Sequence, residues 1–285
     1  MDGQQPEGSI GGDTLAGIFS DLREDGKVKA IVLRIDSGGG SAFASEIIRD
    51  SINVTRAEGV PVVVSMGSVA ASGGYWIAAE TDRVLAMSTS ITGSIGVWGV
   101  IPTIDRSLAK LGVYSDGVGT SGISAMMQID RPLSKPAQAI IQSGVDNIYT
   151  RFLALVAAGR DSTPEEIHEI AQGRVWTGTQ ALDNGLIDEI GDLKDAIDVA
   201  AMLAGIQDYT VDYPRKEMTP FETLITEINN NVADFLGTVG LTPELKSIIP
   251  KTFHHYTNKI FDPIRMMETL NDPKGVYLYC EQCPS

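Results

Sequence analysis

Two apolar runs without polar alternation, Lys29-Ala-Ile-Val-Leu-Arg-Ile35 and Val60-Pro-Val-Val-Val-Ser-Met66, have the pattern of strands buried on both faces of a parallel sheet. Between them Ala44, Ile47, Ile48 and Ile52 recur near helical spacing, with Ser41 where an N-cap belongs and Gly59 where a helix stops. Strand, glycine turn, helix and strand make a βαβ unit, for which a right-handed crossover is the rule. The second strand is expected to end at Met66-Gly67, after which small residues lead through Ser72-Gly73-Gly74 into an apolar helix reaching about Glu80.

The alternation continues downstream. Arg83-Val-Leu-Ala86 reads as a short strand, Thr103–Leu111 as a helix, Val113-Tyr114 as a short strand and residues 136–158 as a long helix. Ser162-Thr-Pro-Glu-Glu166 is a capped helix start with proline in the first turn. A short helix is expected after Gly173-Arg-Val-Trp-Thr-Gly178, and another between Gly191 and Ala204. Residues 1–205 therefore predict an α/β domain. Beyond it, an edge strand at Tyr209–Pro214 and helical stretches over 220–237 and 242–271, broken by Gly240, Pro243, Pro250 and Pro263, predict a helical C-terminal extension over 206–285.

Composition narrows the function classes. The net charge of −15 without any basic stripe argues against a nucleic-acid partner. No run of about 18 apolar residues is present to cross a bilayer. The polar, Gly-rich opening Met1–Gly12 lacks the basic and apolar regions of a signal peptide and reads as an interior loop, as if the chain began partway through something. Cys280 and Cys283 form a lone C-x-x-C, read as a small disulfide or two thiols; zinc would need two further ligands. No metal or cofactor is expected.

The chemistry concentrates at the strand-to-helix junctions. Ser72 falls where N–H groups of a helix start point outward, a place that suits a developing oxyanion; equally, it could be a plain N-cap among small residues that pack a helix closely. The turn Gly38-Gly39-Gly40 departs from G-x-G-x-x-G and precedes no G-K-[ST], so it reads as a close backbone approach or a tight connection rather than a nucleotide site. Ser88–Val97 is dense in hydroxyls and glycine yet interleaved with Ile91, Ile95 and Val97, which fits a site wall as well as a turn. A Ser-His-Asp triad lacks its histidine: His168 lies on a charged helix face, and His254 and His255 lie in the extension. A desolvated lysine is then the alternative base.

Four segments carry a family resemblance. Ile35-Asp-Ser-Gly-Gly-Gly-Ser41, Ser65–Trp76, Leu85–Val97 and Gln172–Gly178 with Gly185-Leu-Ile-Asp188 resemble, in order and spacing, the signal peptide peptidase A (protease IV) family, specifically the C-terminal half of its long two-half bacterial form. The resemblance covers nearly the whole chain. It implies a Clp-protease/crotonase-like fold of repeated β-β-α units, and a serine endopeptidase with a Ser/Lys dyad acting on hydrophobic peptides such as cleaved signal peptides. Ser72 matches the nucleophile, Gly73 and the Gly39-Gly40 turn match the oxyanion hole, and Ser94 matches the serine that hydrogen-bonds the catalytic lysine. Gly38 stands where the family favours proline, which removes no donor.

The family's one-half members place the lysine in a segment matching Asp116–Met127, and that segment has none; Lys110 and Lys135 nearby read as exposed. In the two-half form the first half supplies the base, so this chain is expected to be nearly inactive alone and to need a lysine-bearing N-terminal half. The resemblance also implies a homo-oligomer at the bacterial inner membrane with its bulk on the periplasmic side. Two other readings stand beside it: a non-catalytic ring-forming scaffold, and a crotonase-like acyl-CoA enzyme, whose carboxylates the hydroxyl-rich loops lack.

Overall fold

A computed structural model describes residues 1–5, 9–126, 128–214 and 277–279. Its elements begin α1 (Gly12–Glu24), β1 (Ile31–Ser37), β2 (Gly39–Ser41), α2 (Ala42–Ala57), β3 (Val62–Ala71), α3 (Gly73–Ala78), β4 (Arg83–Ala86) and β5 (Ile91–Gly93). They continue α4 (Asp105–Lys110), α5 (Lys135–Gly159), α6 (Pro164–Ile170), β6 (Val175–Thr177), α7 (Gly178–Asp183), β7 (Glu189–Ile190), α8 (Leu193–Leu203) and β8 (Tyr277–Tyr279). The α/β class read from the alternation is the one observed, with β1, β4 and β5 all parallel to β3.

The sheet runs β6-β5-β3-β4-β7, and β1 flanks β3. Val62, Val63, Val64 and Met66 of β3 are completely buried, as their unbroken apolar run required. Ser41 caps α2 by accepting the Ala44 N–H at 3.2 Å, and Ile48 and Ile52 turn inward. Burying each isoleucine contributes about 1.5–3 kcal/mol relative to leaving it exposed.

One expectation fails instructively. The strand expected to end at Met66-Gly67 continues to Ala71. Up to Met66 it lies between β1 and β4; from Val69 it pairs with β5 in place of β4, while β1 still reaches Ala70 through Ser37. At the change of neighbour β1 is irregular, its register passing from Ile35↔Met66 to Ser37↔Ala70. The Asp36 carboxylate fills the gap by accepting the Val69 N–H at 2.9 Å. Gly67 is required beneath it, because a Cβ there would stand 2.7 Å from Asp36 Cγ. A glycine that looked like a strand end is instead room for a side chain that replaces a ladder bond.

Val113-Tyr114 and 209–214 form no strand; both stretches are exposed and find no neighbour to pair with among the described residues. A strand, β6, appears at 175–177 before the expected short helix, pairing antiparallel with β5. The helical extension expected over 206–285, with His254, His255, Cys280 and Cys283, lies almost entirely outside the described residues. Within it, Tyr277–Tyr279 pairs antiparallel with Gly39–Ser41 and belongs to the same compact unit as residues 1–209. Among the described residues no helix is long and apolar enough to cross a membrane.

Candidate functional site

Ser72 joins β3 to α3 with φ 53° and ψ −115°. A side chain held at positive φ costs about 1–3 kcal/mol and persists only where its surroundings fix it. Here the Ser72 N–H donates to Gly93 O at 2.8 Å, and its carbonyl accepts the Trp76 N–H at 2.9 Å. It occupies the N-cap position of α3, as the plainer reading expected, but its side chain makes no capping bond. The Oγ is buried and has no hydrogen-bond partner among the described residues.

α3 is anchored around this residue. The Tyr75 hydroxyl donates to Leu186 O at 2.7 Å, and burial pushes its pKa up. Trp76 packs on Phe152 with ring centroids 4.7 Å apart and donates its indole N–H to Glu46 Oε2 at 2.7 Å. Burial pushes the Glu46 carboxyl up, but bonds from Arg49 and Trp76 and the charges of Arg49 and Arg151 outweigh it and hold the group below its ordinary value. Arg49 also reaches Glu80, so one ion network fastens α2 to the end of α3.

Gly73 faces the glycine turn. A Cβ on it would lie 2.6 Å from Ser45 Oγ, 3.2 Å from Gly40 N and 3.4 Å from Gly39 Cα. The close approach brings the free N–H end of α3 next to the backbone of β2. Gly39 takes φ 110°, and its N–H donates to Ser37 Oγ at 3.2 Å. Ser45, which the sequence pattern did not single out, donates to Ser41 O at 3.0 Å and walls the junction. The available signal was its place four residues after Ser41, on the buried face of α2. α3 has only six residues, so its first N–H groups rather than a long-helix dipole define the polar end.

The hydroxyl-rich loop is a wall. Ser90 Oγ donates to Gly67 O at 2.6 Å and Thr92 Oγ1 to Ala70 O at 2.7 Å, both inside the core. Ser94 is also buried, at φ 50°, immediately after the Gly93 whose carbonyl holds the Ser72 backbone. Thus Ser72, Ser94, Gly73, Gly39 and Gly40 converge on the ends of β2, β3 and β5.

A base does not converge with them among the described residues. Lys27, Lys29, Lys110, Lys135 and Lys194 are all exposed. His168 is exposed as well, as its charged helix face predicts. No group of His, Cys, Asp and Glu among the described residues could hold a metal ion.

Comparison with known proteins gives three findings. Residues 54–207 match peptidase family S49. The chain is 42% identical to Protease 4 of Salmonella typhi and 38% identical to Protease 4 of Haemophilus influenzae, in both cases over 99% of its own length and 45% of theirs. It therefore spans about half the length of these relatives. A solved structure of a ClpP1 mutant from Listeria monocytogenes aligns with a TM-score of 0.42 and 16% identity over 65% of this chain and 86% of that one.

Proposed function

The chain belongs to peptidase family S49, and from that premise we propose that it is the nucleophile-bearing part of a serine peptidase of the Ser/Lys dyad type. The observation that carries this reading is the buried Ser72 hydroxyl, strained in its backbone and partnerless among the described residues. A buried hydroxyl without a partner among the described residues, on a strained backbone, is the kind of group that active sites hold for chemistry.

In the proposed reaction a neutral lysine amine, supplied by a first half outside the described residues, takes the Ser72 proton as Oγ attacks the peptide carbonyl. Ser94 orients that amine by a hydrogen bond. The tetrahedral oxyanion accepts hydrogen bonds from Gly73 N–H and from the Gly39-Gly40 turn, Gly39 on release from Ser37. The lysine returns its proton to the leaving amine, and an ester remains on Ser72. Water, giving a proton to the same lysine, then attacks the ester. The lysine passes that proton to Ser72 Oγ as the ester C–O bond breaks, freeing the acid and the serine.

Substrate peptides bind extended along β2, displacing β8 from that edge. Support comes from β8, a backbone segment already paired antiparallel with Gly39–Ser41, since such an edge recognises main chain irrespective of sequence. Hydrophobic peptides such as cleaved signal peptides are the substrate class, and an oligomer at the inner membrane with its bulk in the periplasm is the setting.

The test is peptide hydrolysis by the chain combined with a lysine-bearing S49 half. Ser72→Ala should abolish turnover; unchanged turnover would favour the scaffold reading.

A further inference from the structure

Two pairs of left-handed residues face each other beside Ser72. Gly93 and Ser94, at φ 80° and 50°, end β5, while Gln172 and Gly173, at 59° and 76°, precede β6. Gly173 N–H donates to Ile95 O at 3.0 Å and Ser94 N–H to Arg174 O at 2.7 Å. Gly96 fits so closely that a Cβ on it would stand 2.9 Å from Gly173 Cα. Because Gly93 O holds the Ser72 N–H, the 172–174 turn fixes the loop that carries Ser94 and touches the Ser72 backbone.

Gln172 is the member of that turn with most to lose. A side chain in the left-handed region costs about 1–2 kcal/mol that glycine does not. Its N–H goes to Tyr149 Oη on α5, at 3.3 Å. That hydroxyl is itself fixed by His168 Nδ1 at 2.9 Å, the two rings meeting edge-on with centroids 5.8 Å apart. The Gln172 side chain donates to His168 O at 3.2 Å and closes the cluster.

We propose that Tyr149 is a positioning residue: its hydroxyl holds the Gln172 backbone, and through it the Ser94 loop, in register with Ser72. Its part in catalysis rests on the peptidase reading; its hold on the loop does not.

Amide hydrogen exchange on this chain tests the hold. Tyr149→Phe keeps the ring and loses one acceptor, so the Ser94 and Gly173 amides should exchange about three- to tenfold faster, with β1 and α2 unchanged. Gln172→Gly reaches the left-handed conformation without strain, so adding Tyr149→Phe to it should change exchange by less than about twofold. Unchanged exchange in Tyr149→Phe, or equal acceleration in both backgrounds, overturns the hold. In the complete enzyme Tyr149→Phe should lower kcat about three- to tenfold at constant KM. An unchanged kcat, or a change in KM alone, overturns the positioning role. Exchange does not depend on turnover, so failure of the peptidase reading is read separately.

Discussion

Replacing Ser72 with alanine should make the protein more stable. The Ser72 Oγ is buried without a hydrogen-bond partner among the described residues. Stripping a hydroxyl of water without replacing its bonds costs about 1–3 kcal/mol. Alanine gives up only the dispersion contacts of one oxygen, at about 0.1–0.2 kcal/mol each. It keeps the same positive φ of 53°, so backbone strain cancels from the comparison. The balance is a gain of about 1–2 kcal/mol, or about 2–8 °C in Tm for a domain of this size. Urea titration and calorimetry on wild type and Ser72→Ala measure it directly. A variant that unfolds earlier, by about 0.5 kcal/mol or more with an unchanged m-value, would show that the hydroxyl has a structural partner and is not held in reserve for chemistry.

Gly73→Ala should cost about 1–3 kcal/mol in a urea titration and remove labelling of Ser72 by acylating probes in the presence of a lysine-bearing half, since its Cβ would stand 2.6 Å from Ser45 Oγ and 3.2 Å from Gly40 N. The chain assayed alone should hydrolyse peptides about 10²–10⁴-fold more slowly than with a lysine-bearing half; equal rates would show that it holds its own base. Glu46 is held below its ordinary pKa in the folded state, so its contribution is present above the unfolded value near 4.5 and lost as pH falls through the lower folded value. Glu46→Gln should therefore destabilise by about 1–3 kcal/mol at pH 7 and flatten the acid limb of the stability profile; an unchanged limb would remove Glu46 from the network.

The parts of the fold legible in the sequence are those that one-dimensional patterns encode. The buried runs at 31–35 and 62–66, the Ser41 cap of α2 and the long α5 follow from periodicity and capping chemistry. What the pattern missed depends on residues distant in the chain. β3 runs past Gly67 because Asp36, on another strand, supplies the bond that the ladder lacks. Val113-Tyr114 has strand-forming residues but no strand beside it among the described residues. At the site, Ser72, Gly73 and the glycine turn stood out because strand-to-helix junctions announce themselves in small residues. Ser45 and Tyr149 did not, and Gln172 entered only as the first residue of the Gln172–Gly178 segment: each is an ordinary helix or turn residue whose role comes from packing. His168 reads correctly as exposed, while its bond to Tyr149 comes from the packing of α6 on α5.

The most direct measurement is the mass of the Ser72 peptide after treatment with a fluorophosphonate, with and without a lysine-bearing S49 half. An adduct on Ser72 that forms rapidly only when the second half is present is the expected result. Rapid modification elsewhere with Ser72 untouched, or a Ser72 adduct formed equally fast by the chain alone, would contradict a nucleophile that waits for an outside amine.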